Sequence, residues 1–206
     1  MIDLYAAATS NGIRVKIMLE ECNLAYRLNF VDIFAGAHRE PGFLAINPQG
    51  LTPAIVDRDG PDGEALAMAQ SGAILWYLAE KTGRFLADGG DEPLFGERYV
   101  NIVSDMGPTL STIFAIVRSE DPHAPTQEMF EARFGDFLRF WDEALATRAN
   151  CGSDDVTIAD FAMFGTLVRC RQVTPYLMEG YANLDRWYAA MEARRGVQRG
   201  LDFGQA

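Results

Sequence analysis

The 206-residue sequence predicts an α/β unit followed by an all-helical domain, and three observations carry that prediction. Strand-like and helix-like runs alternate only within the first 83 residues. A polar stretch loaded with glycine and proline follows, Ala87-Asp88-Gly89-Gly90-Asp91-Glu92-Pro93. Beyond it every strong apolar pattern recurs at helical spacing.

Taken in order, Ile2-Asp3-Leu4-Tyr5-Ala6 alternates and predicts an opening strand. From Asn11 the period changes: Val15, Met18, Leu19 and Cys22 recur three and four apart, with Glu20 and Glu21 turned outward. Arg27 to Asp32 predicts a second strand. Ala54-Ile55-Val56-Asp57 and Ala65 to Ala69 predict a third and a fourth, joined as a hairpin by the turn-rich Arg58 to Glu64. Ser71 to Thr82 closes the unit as a helix, with Ser71 able to cap its start and Gly83 marking its end. The order β-α-β, long crossover, β-β-α is that of a thioredoxin-like domain. It sets expected boundaries of 1–85 for that domain, 86–93 for a linker and 94–206 for the helical domain. In the latter, Tyr99 to Val117 is expected to kink at Pro108, and Thr126 to Thr147 and Asn183 to Arg194 carry apolar stripes. Thr157-Ile158-Ala159-Asp160 predicts a capping box at the start of a further helix.

Composition removes several function classes. Lys plus Arg number 18 against 29 for Asp plus Glu, a net charge of −11, and no basic cluster occurs along the chain. Nucleic acid is therefore not an expected partner. The longest uncharged stretch, Pro41 to Val56, is broken by three prolines, so no membrane-spanning helix is expected. The start, Met1-Ile2-Asp3-Leu4-Tyr5, has neither the basic nor the apolar region of a signal peptide. Cys22, Cys151 and Cys170 are odd in number and scattered, so neither a disulfide framework nor a metal set is expected. The expected location is the cytoplasm.

Three constellations carry chemistry. Where a thioredoxin-like unit could place Cys-x-x-Cys, this chain has Ala8-Thr9-Ser10-Asn11-Gly12. Without a thiol there it cannot run dithiol exchange on its own sulfurs. A hydroxyl and an amide at a helix N-terminus can, however, donate to a bound sulfur and favour its thiolate; the same residues would also serve as a plain helix cap. Asn47-Pro48-Gln49-Gly50-Leu51-Thr52-Pro53 is the second. Thr52-Pro53 is a candidate cis bond that would leave the Thr52 backbone free to pair with a short peptide, or it is an ordinary turn into an edge strand. Third, Gln70-Ser71-Gly72 opens a helix whose free N–H groups suit a carboxylate or simply a cap. Together the three describe a cradle for a small peptide with a thiol in its middle and a carboxylate at its end.

At these residues the chain resembles the cytosolic glutathione transferases over nearly its whole length. The resemblance rests on Asn47-Pro48-x-Gly50-x-x-Pro53-Ala54-Ile55-Val56-Asp57 combined with Ser71-Gly72-Ala73-Ile74-x-x-Tyr77-Leu78-Ala79-Glu80-Lys81-Thr82-Gly83, and on the Thr157 capping box. Thr9-x-Asn11-Gly12 is most similar to the bacterial Nu-class and disulfide-bond oxidoreductase-like branch. The resemblance implies glutathione as co-substrate, no metal, a homodimer, and a thiolate that attacks a disulfide or a small electrophile. It implies that Thr9 and Asn11 address the sulfur, that Thr52 pairs with the cysteinyl unit beside Pro53, and that Gln70 and Ser71 hold the γ-glutamyl end. His38 falls near the glycyl carboxylate, and Arg133 at the lip of the site. Three features depart from the branch: Gln70 stands for its glutamate and His38 for its glutamine, while Asp105-Met106-Gly107-Pro108-Thr109 replaces a more aromatic stretch. Gln70 and His38 leave room for a rival reading, a glutathione-binding or regulatory protein without catalysis.

Overall fold

The computed structural model describes residues 1–87 and 92–204. They form two compact units, one of residues 1–86 with 193–206 and one of residues 87–192. Half of the expected linker, residues 88–91, lies outside the described residues.

In the first unit the strands are β1 (Ile2–Ala6), β2 (Tyr26–Phe30), β3 (Ala54–Asp57) and β4 (Leu66–Ala69). They make one sheet in the order β2-β1-β3-β4, with β1 parallel to β2 and both other pairings antiparallel. The long helices α1 (Ser10–Glu21) and α3 (Ser71–Thr82) pack against each other and bury Val15, Met18, Leu19, Ile74, Leu75 and Leu78 completely. Successive strand residues face opposite sides. Leu4 is therefore buried on one face, while Tyr5 meets Phe43 edge-on at 6.4 Å on the other. Phe43 belongs to α2 (Pro41–Leu44), which follows a single 3-10 turn at Ala37–Arg39 in the crossover.

The acidic ends of two strands are locked by cations. Asp3, 1% exposed, accepts from Arg27 at 2.9 Å and from Arg58 at 2.6 Å, and the Arg58 hydrogen bond does most to hold its carboxyl below the usual range. Burial pushes the Asp57 carboxyl up, but hydrogen bonds from Tyr77, Lys81 and the Asp59 N–H outweigh it and leave it lowered. A carboxyl lowered by folding stabilises the native state above its unfolded pKa of about 3.9 and loses that contribution as pH falls through its folded pKa. The urea midpoint is thus expected to drop steeply below about pH 4, and less steeply in Asp3→Asn. An identical acid limb in that variant would remove the Asp3 cluster as its cause.

The second unit is helical: α4 (Glu92–Val100), α5 (Gly107–Val117), α6 (Ala124–Leu145), α7 (Ile158–Val173) and α8 (Ala182–Glu192). In place of the simple kink expected at Pro108, a π-helical segment, Asn101–Met106, joins α4 to α5. Pro108 has no N–H for the carbonyl four residues earlier, so the helical ladder must rearrange there. Hydroxyls of Ser104 and Thr109 bond the Val100 and Asp105 carbonyls at 2.7 and 2.8 Å. By length and composition Pro93–Val117 could cross a membrane, which the uncharged-stretch argument did not foresee. Its line of Phe95, Tyr99, Ile102, Met106, Leu110 and Ile113 is buried. The capping box is present as expected, with Thr157 and Asp160 exchanging side-chain and backbone bonds. Cys151 is not the accessible loop thiol its polar neighbours suggest: it is 1% exposed, and burial pushes its pKa well up.

The last helix, α9 (Arg195–Leu201), falls in the segment assigned from sequence to the helical domain, yet it packs on α1 in the first unit. Lys16, 4% exposed, donates to the carbonyls of Arg199 and Asp202 at the end of α9. A Cβ on Gly200 would stand 2.4 Å from Ile17, so only glycine allows the two helices to come this close.

Candidate functional site

One rung of the sheet assembles the site. Ala54 pairs with Tyr5 on one side and Ala69 on the other, while Ala6 pairs with Phe30. The carboxyl ends of β1 and β4 and the amino end of β3 therefore emerge together. The three constellations read from the sequence are the segments attached to those ends: Thr9 follows β1, Thr52-Pro53 precedes β3, and Gln70-Ser71 follows β4. Their residue types were evident locally; their convergence is a product of the register.

Thr9 caps α1 in extended conformation, its Oγ1 accepting from the Gly12 N–H at 3.2 Å. A hydroxyl that accepts one bond keeps its own proton to donate. The Ser10 and Asn11 N–H groups have no acceptor among the described residues, and Asn11 is exposed with its amide open to solvent. Capping and ligand binding are therefore compatible here, since Thr9 does the first with one lone pair.

The Thr52-Pro53 peptide is cis, and the Thr52 backbone has no hydrogen-bond partner among the described residues. The preceding turn is held by Asn47, whose amide donates to the Leu51 carbonyl at 2.7 Å and whose Oδ1 accepts from the Gln49 N–H at 3.2 Å. Gly50 (φ 62°) lies against the crossover: a Cβ there would meet the His38 carbonyl at 3.0 Å and the Arg39 guanidinium at 2.8 Å. This contact brings His38 to the same end of the sheet. The His38 ring is half-buried, with its Nδ1 buried and unpartnered among the described residues.

Gln70 takes φ 69°, ψ 105°, a region a residue with a side chain rarely adopts. Such strain persists where the surrounding structure enforces it, characteristically at ligand clamps. It makes Gln70 the N-cap of α3, and Ser71, 8% exposed, is the first helical residue rather than the cap expected. The Gln70 amide faces Gln49, Nε2 to Oε1 at 3.4 Å. Gln49 and Arg39, which bonds the Gln49 carbonyl at 3.3 Å, were not singled out from sequence. Their only signal was proximity to Gly50 and His38. Arg133 lies on α6 in the second unit, exposed, 3.9 Å from Asp105 and 5.9 Å from the Phe137 ring centroid.

Comparisons of sequence and overall fold with known proteins point to one family. A sequence model of the glutathione S-transferase N-terminal domain matches residues 10–81, and one of the glutathione S-transferase C-terminal domain matches residues 124–190. The disulfide-bond oxidoreductase YfcG of Escherichia coli is 53% identical over 88 residues, 42% of this chain; that match spans 41% of the relative's length. A maleylacetoacetate isomerase of Rhizobium meliloti is 33% identical over 80% of this chain and 78% of its own. A glutathione transferase family member from Pseudomonas fluorescens, solved with two glutathione bound, superposes with a TM-score of 0.92 at 29% identity, covering 98% of this chain and 92% of that one. The chain belongs to the glutathione S-transferase family and, within it, is similar to the bacterial disulfide-bond oxidoreductase branch.

Proposed function

We propose that the protein binds glutathione at the Thr9, Thr52 and Ser71 end of the sheet and uses its thiolate to attack a disulfide or a small electrophile. The observation that supports this reading is the Tyr5–Ala54–Ala69 rung, which brings the start of α1, the Thr52 backbone and the start of α3 to one end of the sheet. Thr9 and Asn11 donate to the sulfur, aided by the free N–H groups of α1. Lowering a thiol pKa by two units takes about 2.7 kcal/mol, within reach of two or three such donors. The thiolate then attacks one sulfur of a disulfide; a mixed disulfide forms and the other sulfur leaves as thiolate. With an electrophile, a C–S bond forms instead as a leaving group departs with its electron pair or, at a polarised double bond, as the π pair shifts to the neighbouring atom and takes up a proton.

In this reading Thr52 pairs its backbone with the cysteinyl unit beside Pro53. Gln70 and Ser71 hold the γ-glutamyl end, and His38 stands near the glycyl carboxylate. The expected boundaries, 1–85 for the glutathione-binding domain, 86–93 for the linker and 94–206 for the helical domain, serve this reading except that α9 packs with the first unit. The working protein is a cytoplasmic homodimer that needs no metal.

Calorimetric titration with reduced and oxidised glutathione, beside turnover of a small aliphatic disulfide, tests the proposal. Asn11→Ala is expected to lower turnover about 10-fold or more while changing glutathione affinity less than about threefold, as loss of a bond made mainly to the developing thiolate does. Failure of either form to bind wild type, or unchanged turnover in Asn11→Ala, would overturn it. Binding without turnover on any disulfide or electrophile would leave a glutathione-binding protein in its place. For Gln70→Gly, relief of backbone strain outweighs the added chain entropy. That variant is expected to unfold about 1 kcal/mol harder and to bind glutathione more weakly, and a stability loss would contradict the strain argument.

A further inference from the structure

Arg194, Arg195 and Arg199 lie within six residues of the chain, and the fold brings the distant Arg84 to them. Arg84, Arg194, Arg195 and Arg199 line a cavity of about 450 Å³ in the first unit, with Glu20 and Glu21 between them. The cavity sits at the last turn of α1, while Thr9 caps its first. A 12-residue helix separates these ends by roughly 18 Å. The arginine cavity is therefore distinct from the sulfur site.

Each glutamate orients an arginine rather than neutralising the group. Glu21, its side chain 8% exposed, takes Nε and Nη2 of Arg194 at 3.2 and 2.6 Å. Glu20 takes Arg199 Nε at 2.6 Å and is held from behind by the Tyr26 hydroxyl at 2.7 Å. Among the described residues the Arg84 guanidinium donates to the Glu21 carbonyl alone, at 2.8 Å, and lies 4.6 Å from the Phe85 ring centroid. Arg195 has no hydrogen-bond or ion-pair partner among the described residues. Four guanidiniums against two carboxylates leave two positive charges concentrated in one hollow of a chain that carries −11 overall. A guanidinium has five N–H donors, so the paired arginines still present unused edges. Gly196 keeps the floor open, since a Cβ there would come 2.6 Å from Glu21 Oε1.

The geometry points to a second ligand site, for a compact phosphoryl anion of pyrophosphate or nucleoside-polyphosphate type. A volume of about 450 Å³ lies in the range of small-molecule sites. Guanidinium forks that converge from several directions match the several oxygens of a phosphoryl group, and the surplus charge matches a dianion or more. A single carboxylate would satisfy one fork and leave the others. An extended polyanion would have to lie across the acidic remainder of the surface. The site does not depend on the glutathione reading.

Calorimetric titration of the full chain with inorganic pyrophosphate in low-salt buffer tests it, with ATP and citrate as parallel probes. Pyrophosphate is expected to bind, and to bind at least about 10-fold more weakly in Arg195→Ser, whose side chain supports no other contact. Affinity should fall as salt is added. Arg84→Ser should act in the same direction, and glutathione titration, unchanged in both variants, checks that they are folded. Tighter binding of ATP than of pyrophosphate would support the site with a nucleotide as its ligand; the reverse would support it with a free polyphosphate. Absence of pyrophosphate binding, equal affinity in wild type and Arg195→Ser, or citrate binding as tightly as pyrophosphate would overturn the assignment.

Discussion

Asp160→Ala is expected to lower the unfolding free energy by about 4 kcal/mol, read from urea denaturation at neutral pH. Its carboxylate is fully buried and accepts four hydrogen bonds. Oδ1 takes the Cys151 N–H at 2.7 Å and the Trp187 indole at 2.9 Å; Oδ2 takes the Thr157 N–H at 2.9 Å and its hydroxyl at 3.1 Å. One side chain thus ties the loop before α7, the cap of α7 and the centre of α8 into a single knot. Burial pushes the carboxyl pKa up, and these donors oppose it. Alanine leaves the donors without an acceptor in a dry interior, where each orphaned group costs about 1–3 kcal/mol before the structure relaxes. Asp160→Asn keeps the shape but turns an N–H₂ toward donors, and a smaller loss of about 2 kcal/mol is expected. A loss under about 1 kcal/mol in the alanine variant would mean that water or rearrangement replaces the carboxylate, and the knot would not be the brace described.

Gly12→Ala is the second large effect, and it couples stability to chemistry. A Cβ at position 12 would lie 2.0 Å from the Ala7 carbonyl oxygen and 3.2 Å from its carbon. These are backbone atoms, so no side-chain rotation relieves the overlap, and the segment from Ala7 to Thr9 must move. The N–H of the same glycine donates to Thr9 Oγ1, which fixes the hydroxyl assigned to the glutathione sulfur. A stability loss of about 3 kcal/mol is expected, the upper end of ordinary overpacking. Turnover should fall about 100-fold, because a displacement of an ångström at a reacting group is enough for that. Asn11→Ala, one residue away and exposed, should lose turnover with little change in stability. The contrast separates positioning from contact. Full turnover in Gly12→Ala would show that the loop tolerates displacement and that Thr9 does not set the sulfur.

Elements with strong local signals were legible in the sequence. β3 spans Ala54–Asp57 and α3 spans Ser71–Thr82 as their patterns predict, because a turn-rich hairpin and a helix ended by Gly83 are specified by neighbours in sequence. The Thr157–Asp160 box was readable for the same reason. The 3-10 turn at Ala37–Arg39 and α2 were missed, since three or four residues are too few to show a period. Helix α9 was missed for a different reason. Its seven residues, Arg195 to Leu201, carry little apolar pattern, and what seats them is steric: Gly196 and Gly200 admit the surface of α1. The burial of Cys151 was not legible because its polar neighbours are local, whereas the acceptor that draws its N–H inward, Asp160, lies nine residues on. In the site, Thr9, Thr52, Gln70 and Ser71 could be named by type, while their convergence depended on pairing Ala54 with both Tyr5 and Ala69. The arginine cavity shows the limit most plainly: a count of basic residues along the chain says nothing of where four of them meet.

The seating of α9 on α1 also sets an order of assembly during synthesis. A ribosome completes residues 1–86 and then the entire helical unit, residues 87–192, before it makes the segment that covers Lys16 and Ile17. At the usual pace of translation that delay is roughly 5–20 s. Through it the nascent sheet and α1 stand with one flank bare, a lysine without its carbonyls and an isoleucine without its cover. The flank is sealed only by the last helix to emerge.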